Sequence, residues 1–205
     1  MEKLREGLWR WTVPHPAWDP EEDWDEQVSC LAHASSEGLV LVDPLVELGD
    51  WTALDELVDR EGAVVAVAVT APFHERHAAE ASRRYGAALF APPLDRDRPA
   101  LADAREIGDG ERLPGGVEAI VVPEGPEALL YLSGARTLVA GDLLVARDGR
   151  LSLCPVSWLQ REQDLGPVRR RIARALELPL EAVAVSHGEP PLFEGRAALE
   201  DALRA

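Results

Sequence analysis

Apolar and polar residues alternate along "LWRWTV" (residues 8–13), the period of a half-buried strand. The next stretch, "HPAWDPEEDWDE" (15–26), breaks that pattern with proline and acid and reads as a loop. "QVSCLAHA" (27–34) and "LVLVD" (39–43) predict an antiparallel pair around "SSEG". "DWTALDELVDR" (50–60) carries apolar residues at helical spacing behind Asp50, a plausible N-cap, and "AVVAVAV" (63–69) follows as a continuous buried strand. "HERHAAEASRRYG" (74–86) reads as a helix closed by Gly86, "ALFAPP" as a short strand, and residues 92–116 as a loop-rich connector.

The second half repeats this order with other lengths. "VEAIVVP", "ALLYLSG", "RTLVAGD" and "RLSLCP" are four short strands with turns at "EGPE", "GA" and "RDG". "LGPVRRRIARALELP" is an amphipathic helix with Pro167 near its start, "AVAVSHG" a strand entering a loop, and "EGRAALEDALRA" a closing helix. Two β-meanders, each followed by helices, predict an α/β (α+β) fold: two mixed sheets packed face to face with helices on the outer faces. No linker divides the chain, so one domain over residues 1–205 is expected.

A length of 205 residues suffices for a sizeable core. The formal charge of -16 repels phosphate backbones and anionic lipid, so neither nucleic acid nor a membrane is the expected partner; a small-molecule substrate or ligand is. The first residues lack a signal-type apolar stretch, which makes a cytoplasmic location the expectation. Cys30 and Cys154 lack metal-type spacing and read as packed thiols. Trp9, Trp11, Trp18, Trp24 and His15 crowd the first meander and its loop, either covering a sheet edge or lining a pocket.

"LVLVDPL", "VAVAVT" before a histidine-bearing segment, "LYLSGARTLVAGDLL" and "VAVSHGEPPLFEGRAALEDAL" together resemble successive landmarks of the metallo-β-lactamase fold, over almost the whole chain. The resemblance implies an αββα sandwich and a site for one or two metal ions. Such sites use T-H-x-H-x-D-H, a histidine in a G-H-T-P-G turn, the Asp of "GD" and a late "HG" histidine. Asp142, as catalytic and ligating carboxylate, and His187 match the last two. "TAPFHERH" is one residue too long for the first motif. Aligned back from His77, it keeps His74 and His77 as ligands, with Arg76 at the aspartate's place. Aligned from Thr70, it keeps no histidine. "VPEGPEA" stands for the middle motif and offers only Glu124 as a substitute ligand.

The candidate metal set is therefore His74, His77, Asp142 and His187, with Asp43, Arg76 and Glu124 as supporting or substitute residues. Arg76, permanently charged, is read as filling a cation position by pairing with Asp142. The resemblance then implies a degraded dinuclear site. At most it supports a mononuclear hydrolase using one zinc or iron ion on an ester, thioester or amide. The alternative is a metal-free, non-catalytic relative that binds a ligand or protein.

Overall fold

The computed structural model describes residues 1–93, 98–159, 165–189 and 192–205, Leu192 by its backbone alone. Pro190 of "SHGEP" and residues 94–97 of the connector lie outside the described residues. In the first sheet, β1 (Glu2–Arg5), β2 (Leu8–Pro14), β3 (Gln27–Ser35) and β4 (Gly38–Val42) are antiparallel neighbours. Then β5 (Val64–Ala68), β6 (Ala88–Ala91) and β7 (Arg105–Glu106) add in parallel. The parallel joins need crossovers, supplied by α1 (Thr52–Glu61) and α2 (Ala78–Tyr85).

In the second sheet, β8 (Arg112–Leu113), β9 (Val117–Val122), β10 (Glu127–Leu132) and β11 (Thr137–Ala140) form a meander. The strands β12 (Leu144–Arg147) and β13 (Arg150–Leu153) make a separate hairpin, and α3 (Gly166–Ala173) follows. Next β14 (Ala182–Val185) joins β11 in parallel, β15 (Leu192–Phe193) borders it, and α4 (Gly195–Arg204) ends the chain. No described helix is long and apolar enough to cross a membrane.

Strand alternation builds the layers. Val40, Val42, Ala66 and Ala68 face Val121, Leu130, Leu132 and Val139 across the sandwich. Their neighbours Leu39, Leu41 and Val67 face outward and pack under Leu54, Leu57, Ala78 and Ala81 of the first two helices. On the other side Leu129 and Leu138 pack under Val168, Ile172, Leu199 and Ala202. The result is the αββα order expected from the two meanders. Both cysteines are buried free thiols.

Three local features depart from the sequence pattern. The strand β1 is polar and exists through its pairing with β2. The strand β12 lies in "LLVAR", adjoining a turn, with too few residues to show a period. Most consequential, residues 74–86 do not form one helix: Pro72–His74 make a 3-10 turn, Arg76 sits at φ +33°, and α2 begins at Ala78. His74 and His77 thus lie on opposite sides of a kink, not three residues apart on one helix face.

Each sheet contains a central parallel pair, and the carboxyl ends of both pairs meet at one edge of the sandwich. Asp43 follows β4, Thr70 to Arg76 follow β5, Asp142 follows β11, and His187 follows β14. Backbone bonds join the sheets there: Ala128 N–H donates to Thr70 O (2.8 Å) and Ser29 N–H to Ser186 O (2.9 Å). The approach is close enough that a Cβ at Gly141 would overlap Thr70 Oγ1 and stand 3.2 Å from His74 Cε1. Gly141→Ala is therefore expected to destabilise the protein by about 1–3 kcal/mol, measured as a lower urea midpoint at unchanged slope.

Candidate metal centre

Asp43 is an almost fully buried carboxylate at this edge, 3% exposed and in the left-handed region at φ +49°. Its Oδ1 accepts the Thr70 N–H (2.8 Å), and its Oδ2 accepts the Thr70 hydroxyl (2.6 Å) and His74 Nδ1–H (2.9 Å). An acceptor at Nδ1 fixes which ring nitrogen of His74 is protonated and turns Nε2 outward. His74 Nε2 then lies 2.9 Å from Asp142 Oδ1, and His187 Nε2 lies 3.2 Å from the same oxygen.

Asp142 is held from below. Glu127, 2% exposed at the start of β10, accepts three successive amide hydrogens, from Gly141 (2.7 Å), Asp142 (2.8 Å) and Leu143 (2.9 Å). His187 is walled by Trp24 and Trp158, both edge-on at 5.2 and 5.4 Å between centroids, and its buried Nδ1 has no hydrogen-bond partner among the described residues. Asp23 ties this wall together. Its carboxylate accepts from Trp158 Nε1 (2.6 Å) and Ser157 Oγ (3.3 Å), and its carbonyl accepts from Arg147 (2.7 Å).

Without an ion, the His74–Asp142 contact requires a proton between the two groups. Burial lowers the His74 pKa, but the Asp142 and Asp43 charges and the Asp142 hydrogen bond outweigh burial and Arg76, lifting it to about 9. Burial also opposes the Asp142 charge, yet the facing His74 and the His187 hydrogen bond hold its carboxyl well below the usual range. His187 is lowered, chiefly by burial. Burial and Asp142 push Glu127 up to about 8, against its three amide donors.

The same three atoms suit a metal. One ligand atom each from His74, Asp142 and His187 lies within 4.8 Å of the others, the arrangement of two imidazoles and a carboxylate around one ion. His74 already has the carboxylate behind its other nitrogen that ligating histidines use. The group opens on a cavity of about 360 Å³, walled by Trp24, Phe73 and Trp158 and edged by Glu22 and Asp23. The residues present fit one ion with a position left for water or substrate.

The structure brings together His74, Asp142 and His187, with Asp43 behind His74. It does not bring His77 to them. His77 Nδ1 accepts the Val46 N–H (3.1 Å) and its ring faces Trp51, because the kink at Arg76 turns it toward the β4–α1 loop. Glu124 is likewise outside the group, and its buried Oε2 has no hydrogen-bond partner among the described residues. The carboxylate serving the site from this turn is Glu127, whose signal in the sequence was an acid opening the otherwise apolar strand "EALLYL". Arg76 makes no pair with Asp142: it donates to Ser29 O, Asp43 O and Ser186 Oγ, being directed inward by its left-handed backbone.

A family profile described as metallo-beta-lactamase superfamily matches residues 5–204. Among solved structures, the DIM-1 metallo-β-lactamase superposes with a TM-score of 0.71 at 16% identity, over 99% of this chain and 94% of that one. A metallo-β-lactamase from Hirschia baltica gives 0.66 at 18% identity, over 99% and 95%. A metallo-β-lactamase family protein from Thermus thermophilus gives 0.66 at 18% identity, over 97% and 79%. No curated protein sequence matches significantly.

A histidine whose folded pKa stands above the unfolded 6.5 stabilises the fold fully below pH 6.5 and loses that contribution as pH rises through about 9. Glu127, raised to about 8, acts in the same direction at lower pH. Metal-free protein should therefore lose stability between pH 6.5 and 9, and His74→Gln should flatten the upper part of that slope. Urea unfolding at stepped pH in the presence of chelator reads both.

Proposed function

Because the chain belongs to the metallo-β-lactamase superfamily, we propose that it is a metal-dependent hydrolase working with a single ion held by His74, Asp142 and His187. The observation that carries this reading is the convergence of those three ligand atoms beneath an open cavity, with His74 pre-oriented by Asp43. Imidazole and carboxylate donors of this kind suit zinc or iron. Such an ion, when bound, supplies a water that ionises near neutral pH and a Lewis acid for a carbonyl oxygen.

The chain's own residues do the positioning. Asp43 keeps the His74 proton on Nδ1, so that Nε2 presents a lone pair. Glu127 fixes the backbone of the Gly141–Asp142 turn, which aims the Asp142 carboxylate into the cavity where it can orient a water or hold its proton. Trp24 and Trp158 exclude bulk water from His187, which strengthens interactions inside the cavity. Glu22 and Asp23 at the edge disfavour anionic substrates, so neutral or cationic esters, thioesters or amides are the substrate class.

Untagged protein is expected to hold close to one equivalent of zinc or iron by elemental analysis, and His187→Ala to lose it. Ion-dependent hydrolysis in an ester and thioester panel should fall roughly 100-fold or more in Asp142→Ala. A wild-type protein that stays free of metal after incubation with excess ion would instead mark the chain as a non-catalytic binding module.

A further inference from the structure

Arg76 is the only arginine or lysine among the described residues lining the cavity. Its backbone is held at φ +33°, a conformation a side chain of this kind adopts only when its surroundings demand it. The guanidinium reaches under the centre and joins both sheets: Nη1 donates to Ser29 O (3.0 Å) and Asp43 O (3.1 Å), and Nη2 to Ser186 Oγ (2.7 Å). The remaining contact is with the Cys30 sulfur at 3.9 Å. Every one of these acceptors is neutral. An arginine in a partly buried position is ordinarily matched with a carboxylate in contact; among the described residues none contacts this one, so its charge acts on the centre as a whole.

The centre needs such a charge. Three carboxylates meet there, Asp43 and Glu127 almost fully buried and Asp142 between two imidazoles. Ligating imidazoles must be neutral. The two carboxylates on either side of His74, Asp43 and Asp142, against one guanidinium leave a deficit of one, which one divalent ion more than closes and a second would overshoot by three.

Resting on the single-ion reading above, we infer that Arg76 is a built-in cation that takes over the electrostatic role of a second metal ion, so that the site accepts one divalent ion and no more. Its neutral hydrogen bonds hold it in place, and its charge balances the carboxylates that a second ion would otherwise neutralise. Arg76 is thus a positioning residue, acting on the ion through its charge. A further consequence is like-charge repulsion: Arg76 weakens the affinity of the one ion that does bind.

The test is a titration of chelator-stripped wild type, Arg76→Gln and Arg76→Lys with Co²⁺, following visible absorption bands, with elemental analysis for stoichiometry. Wild type should bind one equivalent. Arg76→Gln should bind it roughly tenfold more tightly or better, as expected when a like charge near a divalent ion is removed, and Arg76→Lys, which keeps the charge, should stay within about threefold of wild type. Two equivalents in wild type would overturn the inference, as would one equivalent with Arg76→Gln and Arg76→Lys equally unchanged or equally weakened; in that last case Arg76 would be a structural tie only, and the single-ion hydrolase would stand. No ion in any of the three proteins would refute the metal reading itself, and this one with it. Should Arg76→Gln fail to fold, Arg76→Met, which keeps an extended side chain without the charge, takes its place in the titration.

Discussion

The centre depends on one hydrogen-bonded carboxylate. Asp43 receives a backbone N–H, a hydroxyl and an imidazole N–H from the chain that leaves β5, and through the imidazole it sets the direction of everything beyond. A carboxylate this deeply buried persists only when each of its oxygens is occupied. That demand makes the Thr70 to His74 segment turn sharply back over Asp43, with Pro72 opening the turn. If either side chain were missing, the other would keep its remaining partners, Thr70 for Asp43 and Asp142 for His74, but the bond that sets the imidazole tautomer would be lost.

The two sheets bring equal and different things to this edge. The first delivers a tautomer and a fixed cation, through Asp43, His74 and Arg76. The second delivers the carboxylate and the last imidazole, through the parallel pair β11 and β14, with Glu127 gripping the turn between β11 and β12 by three amides. Because the sheets are already clamped by backbone bonds at Thr70 and Ser29, ligand positions inherit the rigidity of strands in place of the mobility of loops.

Much of this was legible in the residue pattern. The apolar runs "LVLVD" and "AVVAVAV" marked two buried strands of the first sheet, and the resemblance marked the "GD" and "HG" turns at the ends of two strands of the second. Asp50 does receive the Thr52 N–H, but from one residue ahead of the N-cap position of α1, which Trp51 occupies. What the pattern could not carry was the path of the chain between Thr70 and Ala78. A single left-handed residue at Arg76 decides that His74 enters the centre and His77 leaves it, and no spacing rule reports the sign of one φ angle. Glu127 was hidden for a related reason: its three partners are main-chain amides, which look alike at every position of a sequence. Arg76 was recognisable as a cation out of place, but its partners are two carbonyls and a hydroxyl, which charge pairing alone would not select.

The three candidate ligands are drawn from residues 74, 142 and 187, and the aromatic wall from residues 24 and 158. During synthesis the first two ligands emerge well before the third, and Asp23 has to wait for Trp158, which lies 135 residues later. On the single-ion reading the emerging chain would therefore hold no complete ion site until its last strand pair had been made, and capture of an ion would follow, and report on, closure of the whole sandwich.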